Sequence, residues 1–420
     1  MWLIWKLLLN TCCVIIGYIS YEDYIRLVLS NLTQSNVLFI KLFQSLSANK
    51  SVSTHMLELF RKNTNCSEYY QSDIDYELID EISEKYDIIV DSLVPINSGM
   101  IAIVFKGQTK QGDELVIKIK RKDIEARLER GYNQFVFWSR VAKCITYHIQ
   151  ANDFLESIAS FIESKDYIMT QCDFNNEIEV MRTTKEEVDN FSENNTISDL
   201  DKIIIPDVYN LPGDDEFIIM DYLSGTTCFV VDDNQKQQYV RLLLKFALCS
   251  NYLFQYMHTD LHPGNLICMK EDGTLKLGII DFGMYLKIGD SNVKLALSRV
   301  SDILLNSTDK HKDFIFYVKD LLNPAPDISL YTLEQRTRLN IIIENLFTDL
   351  LKGRLTELTI RKYKAKIDTI VPGLSKNHFD VDVVKILLAF TMINSTILSL
   401  TSDTEFIYET QKKTIMEIYS

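Results

Sequence analysis

The run from His258 to Gly283, HTDLHPGNLICMKEDGTLKLGIIDFG, constrains this chain more than any other stretch. Asp260 and Asn265 lie five positions apart in a segment broken by Pro263 and Gly264. Proline removes a helical donor and glycine admits turn conformations, so the segment reads as a tight loop. Two short apolar runs follow, on either side of Asp272-Gly273. An Asp-Gly pair between such runs predicts a β-hairpin. The hairpin returns Asp281, of Asp281-Phe282-Gly283, to the end where Asn265 begins, beside Asp260. A carboxylate and an amide able to hold Mg²⁺, with a second carboxylate nearby, form the constellation that phosphoryl transfer needs. The alternative is a solvated loop whose acids carry no metal. A plausible nucleotide-binding region upstream weighs against it.

Composition narrows the class. The 420 residues are 46% hydrophobic and 24% charged, enough for one large two-lobed domain or two domains with a substantial core. A net charge of -14 argues against a nucleic-acid partner, which normally meets a basic surface. The eight cysteines form no CxxC pair and no Cys/His spacing that suits zinc. They read as reduced, buried thiols in the cytoplasm or an organelle matrix.

The first 20 residues, MWLIWKLLLNTCCVIIGYIS, are the most apolar stretch. Their length is near the roughly 20 residues of a membrane span, although Lys6 and Asn10 interrupt them. Two readings stay open: a membrane anchor or interfacial helix, and a helix packed on the protein's own core. Residues 21–86 read as a helical extension, with Lys41 and Gln44 on one helix face.

The period then changes. Ile88–Val90, Ile101–Phe105 and Glu114–Lys120 read as strands, with turns at Asn97–Met100 and Lys110–Asp113. Lys118 lies inside an apolar strand, where an ammonium is costly unless it meets an anion. Residues 122–165 read as helices. Asp173 is a candidate N-cap that places Glu177 one turn into the next helix. Ser192 to Lys202 reads as a polar surface loop. Ile203–Tyr209 and Glu216–Leu223 read as two more strands, Gln235–Met257 as a long helix, and the chain beyond Gly283 as mostly helical.

Several of these stretches resemble one family, the UbiB-like or aarF-domain-containing atypical kinases, associated with ubiquinone biosynthesis. His258 to Asn265 is similar to that family's HxDxHPGN loop, and Ile279 to Gly283 to its LIDFG. Leu38 to Gln44, LFIKLFQ, resembles its KxGQ segment. Gln171 to Glu177 falls where the family has ExD and the helix Glu, and Pro95 to Val104 where it has an Ala-rich nucleotide loop.

The resemblance implies an α+β, protein-kinase-like two-lobed fold with a helical N-terminal extension. Its N-lobe would hold a five-stranded antiparallel sheet with a helical insert, and its C-lobe would be mostly helical. The expected bounds are 1–20 for the apolar segment, 21–86 for the extension, 87–225 for the N-lobe and 226–420 for the C-lobe. It further implies ATP and Mg²⁺ as cofactors. Lys118 would hold the nucleotide phosphates and pair with Glu177. Asp260 would be the catalytic-loop acid, and Asn265 and Asp281 would bind Mg²⁺. Gly99 would approach the phosphates, Met220 would sit deep in the adenine pocket, and Asp221 to Leu223 would form the hinge. Lys41 and Gln44 would lie over the active site. A membrane lipid or small lipid-like substrate and a homodimer are compatible with this reading, as is a membrane-associated location.

Three departures stand out. Phe43 replaces the Gly of KxGQ, Gln171 replaces the first acid of ExD, and Asn97 to Met100 (NSGM) replaces an Ala-rich loop. A glycine there admits positive φ and closer backbone approach. Two rival functions remain: a catalytically weak pseudokinase scaffold, and a small-molecule phosphotransferase of the aminoglycoside or choline kinase type.

Overall fold

The structure is a computed structural model that describes residues 2–36, 38–39, 69–145, 165, 169–194, 197–211, 213–288, 331–355, 357–372 and 381–419. Its helices are α1 (Trp2–Ile15), α2 (Tyr21–Ser35), α3 (Tyr76–Tyr86), α4 (Ile124–Ile145), α5 (Phe174–Glu193), α6 (Asp233–Tyr252), α7 (Leu333–Leu351), α8 (Glu357–Ile370), α9 (Val381–Leu400) and α10 (Thr404–Tyr419). Its strands are β1 (Ile88–Val90), β2 (Asn97–Ser98), β3 (Ala102–Thr109), β4 (Glu114–Lys120), β5 (Ile203–Ile204), β6 (Phe217–Asp221), β7 (Thr226–Thr227), β8 (Tyr256–His258), β9 (Leu266–Glu271), β10 (Thr274–Ile279) and β11 (Tyr285–Lys287). The α+β class expected from the sequence is the one observed. Contacts divide the chain into two units: Met1–Phe174 with Asn210–Met220, and Asn175–Tyr209 with Asp221–Ser420.

The first unit is built on a five-stranded sheet in the order β1-β3-β4-β6, with β2 also paired to β3. The fifth strand is not the one the sequence suggested. Asn97–Ser98, read as a turn, pairs antiparallel with Val104 and Ile103. Ile203–Ile204, read as a strand of the same lobe, instead pairs in parallel with β10 in the second unit. Apolar alternation marks a strand but does not name its partner. Ile103, Phe105, Ile117, Ile119 and Ile219 from the sheet pack with Ile79 and Ile82 of α3. That helix starts where the Asp75 carboxylate caps the Leu78 amide at 3.3 Å, and ends at Asp87 in the left-handed region.

Before the sheet, α1 and α2 pack together. Lys6 donates to Asn31 at 3.2 Å and Thr11 meets Tyr24 at 3.0 Å. Leu9, Ile15, Ile16 and Tyr18 remain exposed. Among the described residues no helix is long and apolar enough to cross a membrane. The chain then docks on α4 through Asn36, which donates to the Gly131 carbonyl at 3.1 Å and accepts from Leu38 N–H at 3.0 Å. Gly131 is required there, because a Cβ would stand 2.5 Å from Asn36 Oδ1. The Phe39 and Phe135 rings complete the contact, 4.9 Å apart.

The second unit holds a four-stranded sheet, β5-β10-β9-β7, and a two-stranded one, β11-β8. The strand β8 shortens the helix expected over Gln235–Met257, which ends at Tyr252. The stretch Ser192–Lys202 is not simply a surface loop, since Ile197 and Leu200 are buried. Beside them the Lys245 ammonium, buried on α6, binds Ser198 and the Glu417 carboxylate of α10, the latter at 3.0 Å. A further core joins α7, α8 and α9 through Leu346, Ile360, Ile367 and Leu387.

Candidate active site

In the second unit the expected hairpin forms. Asp272 and Gly273 both take positive φ, 47° and 82°, as a two-residue turn of this hand requires. Pairing runs from Thr274 with Glu271 to Ile279 with Leu266. The Ile280 N–H then donates to the Asn265 carbonyl at 3.0 Å, so Asn265 and Asp281 emerge at the same end. Upstream, His262 caps a single 3-10 turn, Pro263–Asn265, with proline in its first positions. A Cβ on Gly264 would stand 2.8 Å from the His262 ring, so glycine lets the imidazole keep its place over the turn. The Asn265 amide donates to the Asp260 carbonyl at 3.0 Å, which closes the loop on itself.

His258 ties the loop to the strand end. Its Nε2 donates to the Asp281 carbonyl at 3.0 Å, and its Nδ1 accepts the Asp260 N–H at 3.2 Å. These two bonds fix one neutral tautomer. The ring stands between Phe282, 4.9 Å away, and Phe246, 6.3 Å away. Burial lowers its pKa to about 4, against the opposing pull of Asp260 and Asp281. The imidazole is therefore an uncharged brace. The sequence reading passed over it, although it heads the motif.

Asp281 adopts φ 65°, a left-handed conformation that Asp tolerates better than most residues. Its Oδ1 accepts Gly283 N–H at 3.3 Å. Glu177 is buried on α5, and its Oε1 accepts the Phe282 N–H at 3.3 Å. A Cβ on Gly283 would meet Asp281 Oδ1 at 3.3 Å and Glu177 Oε2 at 3.4 Å. Glu177, Asp281 and Gly283 are thus neighbours, although more than one hundred positions separate Glu177 from Phe282. His262 points its Nε2 toward Asp260 Oδ2 at 3.8 Å, while its Nδ1 accepts Gly264 N–H at 3.0 Å. Behind the loop, Thr396 of α9 donates to the Leu261 carbonyl at 2.8 Å.

The hinge candidates are engaged. The Asp221 carboxylate accepts from Asp207 N–H at 2.9 Å and Tyr209 OH at 2.6 Å. Leu223 Cδ1 fills the space over Gly278 where a Cβ would stand 2.5 Å away. Among the described residues no three His, Cys, Asp or Glu side chains gather as a metal cage.

In the first unit, Lys118 lies opposite Val104 in the β3–β4 register, half-buried, with its ammonium 5.3 Å from the Phe174 ring centroid. Lys120, two residues on and on the same face, also lies against that ring. Its ammonium binds Glu216 at 3.2 Å and Glu125 at 3.3 Å. Burial opposes its charge, and those carboxylates leave its pKa raised. Met220 is buried in β6.

Gly99 differs from expectation. The described glycines with positive φ do not include it, and its N–H donates to the Ala102 carbonyl at 2.8 Å. Its carbonyl accepts from Arg121 Nε at 3.0 Å, and the Arg121 fork also binds Ser98 Oγ at 2.7 Å and the Asp73 carboxylate. Arg127 reaches the other Asp73 oxygen at 2.7 Å. This brace is spread over residues 73 to 127, and no local pattern announces it. Lys41 and Gln44 lie outside the described residues.

A family model described as the ABC1 atypical kinase-like domain matches residues 61–313, more than half of the chain. The "Uncharacterized protein slr0889" of Synechocystis sp. is 23% identical over 201 residues, which span 45% of this chain and 46% of that protein. The chain therefore matches about half the length of that curated relative. A solved structure titled as the complex of Rv3197 with erythromycin, from Mycobacterium tuberculosis, aligns over 91% of this chain and 95% of its own. Its identity is 14% and its TM-score 0.41.

Proposed function

The chain belongs to the ABC1 atypical kinase-like family, the family of UbiB/aarF proteins, and we propose that it binds ATP with Mg²⁺ as a phosphotransferase or ATPase. The observation that supports this most is the emergence of Asn265 and Asp281 from adjacent strand ends, locked by the Ile280–Asn265 backbone bond. One amide oxygen and one carboxylate suit Mg²⁺, which takes few protein ligands and completes its shell with water and phosphate oxygens. Bound there, the metal would offset charge on the transferring phosphoryl group.

The residues have distinct roles in this reading. Asp260 accepts the proton of the attacking hydroxyl or water. His258, neutral and buried, holds the backbones of Asp260 and Asp281 in place. Lys118 holds the nucleotide phosphates, and Glu177 takes the part of the family's helix glutamate. Met220 and the backbone from Asp221 to Leu223 receive the adenine. A membrane lipid or lipid-like molecule is the proposed acceptor class. The apolar residues left exposed on α1 and its following turn support association with a membrane surface.

A second reading, nucleotide binding with negligible turnover, is favoured by one observation. The Gly99 amide is already bonded to Ala102, so it does not stand ready for a phosphate. Phosphate release from Mg-ATP, measured with and without liposomes, separates the two. Turnover lost in Asp260→Asn supports the enzyme. Saturable binding with no release in either condition supports the scaffold. No binding at all contradicts both.

A further inference from the structure

Cys228 and Cys268 are thiols forty positions apart, and their sulfurs lie 2.8 Å from each other. Both are buried, Cys228 to 1% exposure and Cys268 to 5%. Three features hold them together. Thr226 and Thr227 pair antiparallel with Cys268 and Ile267. Gly225 lies so close to β9 that a Cβ would stand 2.6 Å from the Cys268 carbonyl oxygen. Cys228 then opens a 3-10 turn, Cys228–Val230, after the two-residue strand β7.

We propose that Cys228 and Cys268 form a reversible disulfide when the protein meets a hydroperoxide. The sulfurs stand within S–H···S reach, and closing to about 2.05 Å would join them covalently. Access comes through β7, an edge strand of two exposed residues whose opening breaks few bonds. The chemistry balances with peroxide as the two-electron oxidant. The Cys228 thiol releases its proton, its sulfur attacks one peroxide oxygen and the O–O bond breaks, and the departing hydroxide takes up that proton, giving a sulfenic acid and one water. The Cys268 sulfur then attacks the sulfenic sulfur, and its proton leaves with the hydroxyl as a second water. The sum is two thiols and one hydrogen peroxide giving one disulfide and two waters.

The order of attack follows from the surroundings. The Cys268 thiol is pushed well above its ordinary pKa by its hydrogen bond to Cys228, by burial and by the Cys228 charge. Cys228 directly follows the exposed edge strand β7, whereas Cys268 lies within β9 between β10 and β7, so Cys228 is reached first and reacts first. The disulfide would pin the strap from Gly225 to Cys228 onto β9 and enclose α6, Asp260 and Asn265 in one covalent loop. The inference does not rest on nucleotide binding. Cys172 and Cys249 are also buried, with thiols pushed up to about 11 and about 12 by burial, and Cys12 is exposed, so the chain carries its own comparison thiols.

The test is a non-reducing peptide map of the folded full-length protein after graded hydrogen peroxide, with thiols alkylated at quench. The expected product is one linked pair of peptides, bearing Cys228 and Cys268, two mass units lighter than their sum. It should form before Cys172 or Cys249 is lost and disappear with a thiol reductant. The melting temperature should rise by on the order of 5 °C with the link and fall back on reduction. Cys228→Ser should abolish both effects while retaining its own reduced-state melting transition. The proposal is overturned if both thiols remain alkylatable after Cys12 is fully oxidised. It is equally overturned if the link appears only in urea.

Discussion

Arg121 Nε donates to the Gly99 carbonyl at 3.0 Å, from a side chain that is almost wholly buried. The same guanidinium binds Ser98 and Asp73, so the turn that carries Gly99 is fixed from behind. Removing the guanidinium leaves the Asp73 carboxylate to Arg127 and takes this donor from the Ser98 hydroxyl and the Gly99 carbonyl, at a cost of about 1–3 kcal/mol. Arg121→Met should destabilise the protein by that order in urea unfolding. Arg121→Lys should not restore it, because a single ammonium cannot serve three acceptors in one plane. Equal stability of wild type and Arg121→Met would show that the brace contributes nothing.

Glycine substitution separates two positions that look alike in sequence. A Cβ on Gly99 would meet only the Ala102 carbonyl oxygen, at 3.6 Å, an ordinary contact. Gly99→Ala should therefore change stability by less than about 0.5 kcal/mol. A Cβ on Gly225 would stand 2.6 Å from Cys268 O and 2.7 Å from Ile267 Cγ2. Gly225→Ala should cost about 1–3 kcal/mol, since backbone must shift to admit it. Denaturant midpoints in one buffer check both, and the reverse ranking would contradict the packing described.

His258 gives stability a defined pH dependence. Its folded-state pKa is lowered to about 4 from an ordinary 6.5. Below 6.5 the unfolded chain takes up a proton that the folded chain refuses, so stability is lost as pH falls and is whole above 6.5. Each pKa unit is about 1.4 kcal/mol, which makes the loss about 2 kcal/mol at pH 5. His258→Asn should unfold more easily at pH 7 but show a shallower fall between pH 6.5 and pH 5. Parallel curves for the two proteins would mean that His258 is not the titrating group.

The contact between α6 and α10 is also testable. Lys245 is buried with its ammonium on Ser198 and Glu417, whereas Lys413 reaches the same carboxylate from an exposed position. Glu417→Gln should cost about 1–3 kcal/mol, because it weakens the pairing of a buried charge. Lys413→Ala should stay within about 0.5 kcal/mol, as exposed i,i+4 pairs do. Thermal unfolding of the two variants decides between a buried latch and a surface pair.

Local sequence carried some parts of this structure and not others. The β9–β10 hairpin was legible because Asp272-Gly273 and flanking apolar residues encode it within fifteen positions. The placement of Asn265 beside Asp281 followed from that hairpin alone. Ile203–Ile204 was legible as a strand but not as a member of the second sheet, since its pattern suits either partner. Asn97–Ser98 lacks strand-forming residues, and its pairing is imposed by β3. The Asp73–Arg121 brace, the Asn36–Gly131 contact and the Lys245–Glu417 pair join residues 48, 95 and 172 positions apart. Charged or polar residues at such separations carry no periodic signal.

The central claim is that the loop end bearing Asn265 and Asp281 holds Mg²⁺ for a nucleotide. It is tested most directly by titrating ATP calorimetrically into wild type and Asp281→Asn, each with Mg²⁺ and with EDTA. Asn accepts the left-handed φ 65° of Asp281 and keeps the carbonyl that accepts from His258 Nε2, so the variant should fold. The account predicts binding to wild type that weakens at least tenfold in EDTA, and binding to Asp281→Asn that is weak and indifferent to the metal. Equal, metal-dependent affinity in both proteins would contradict it.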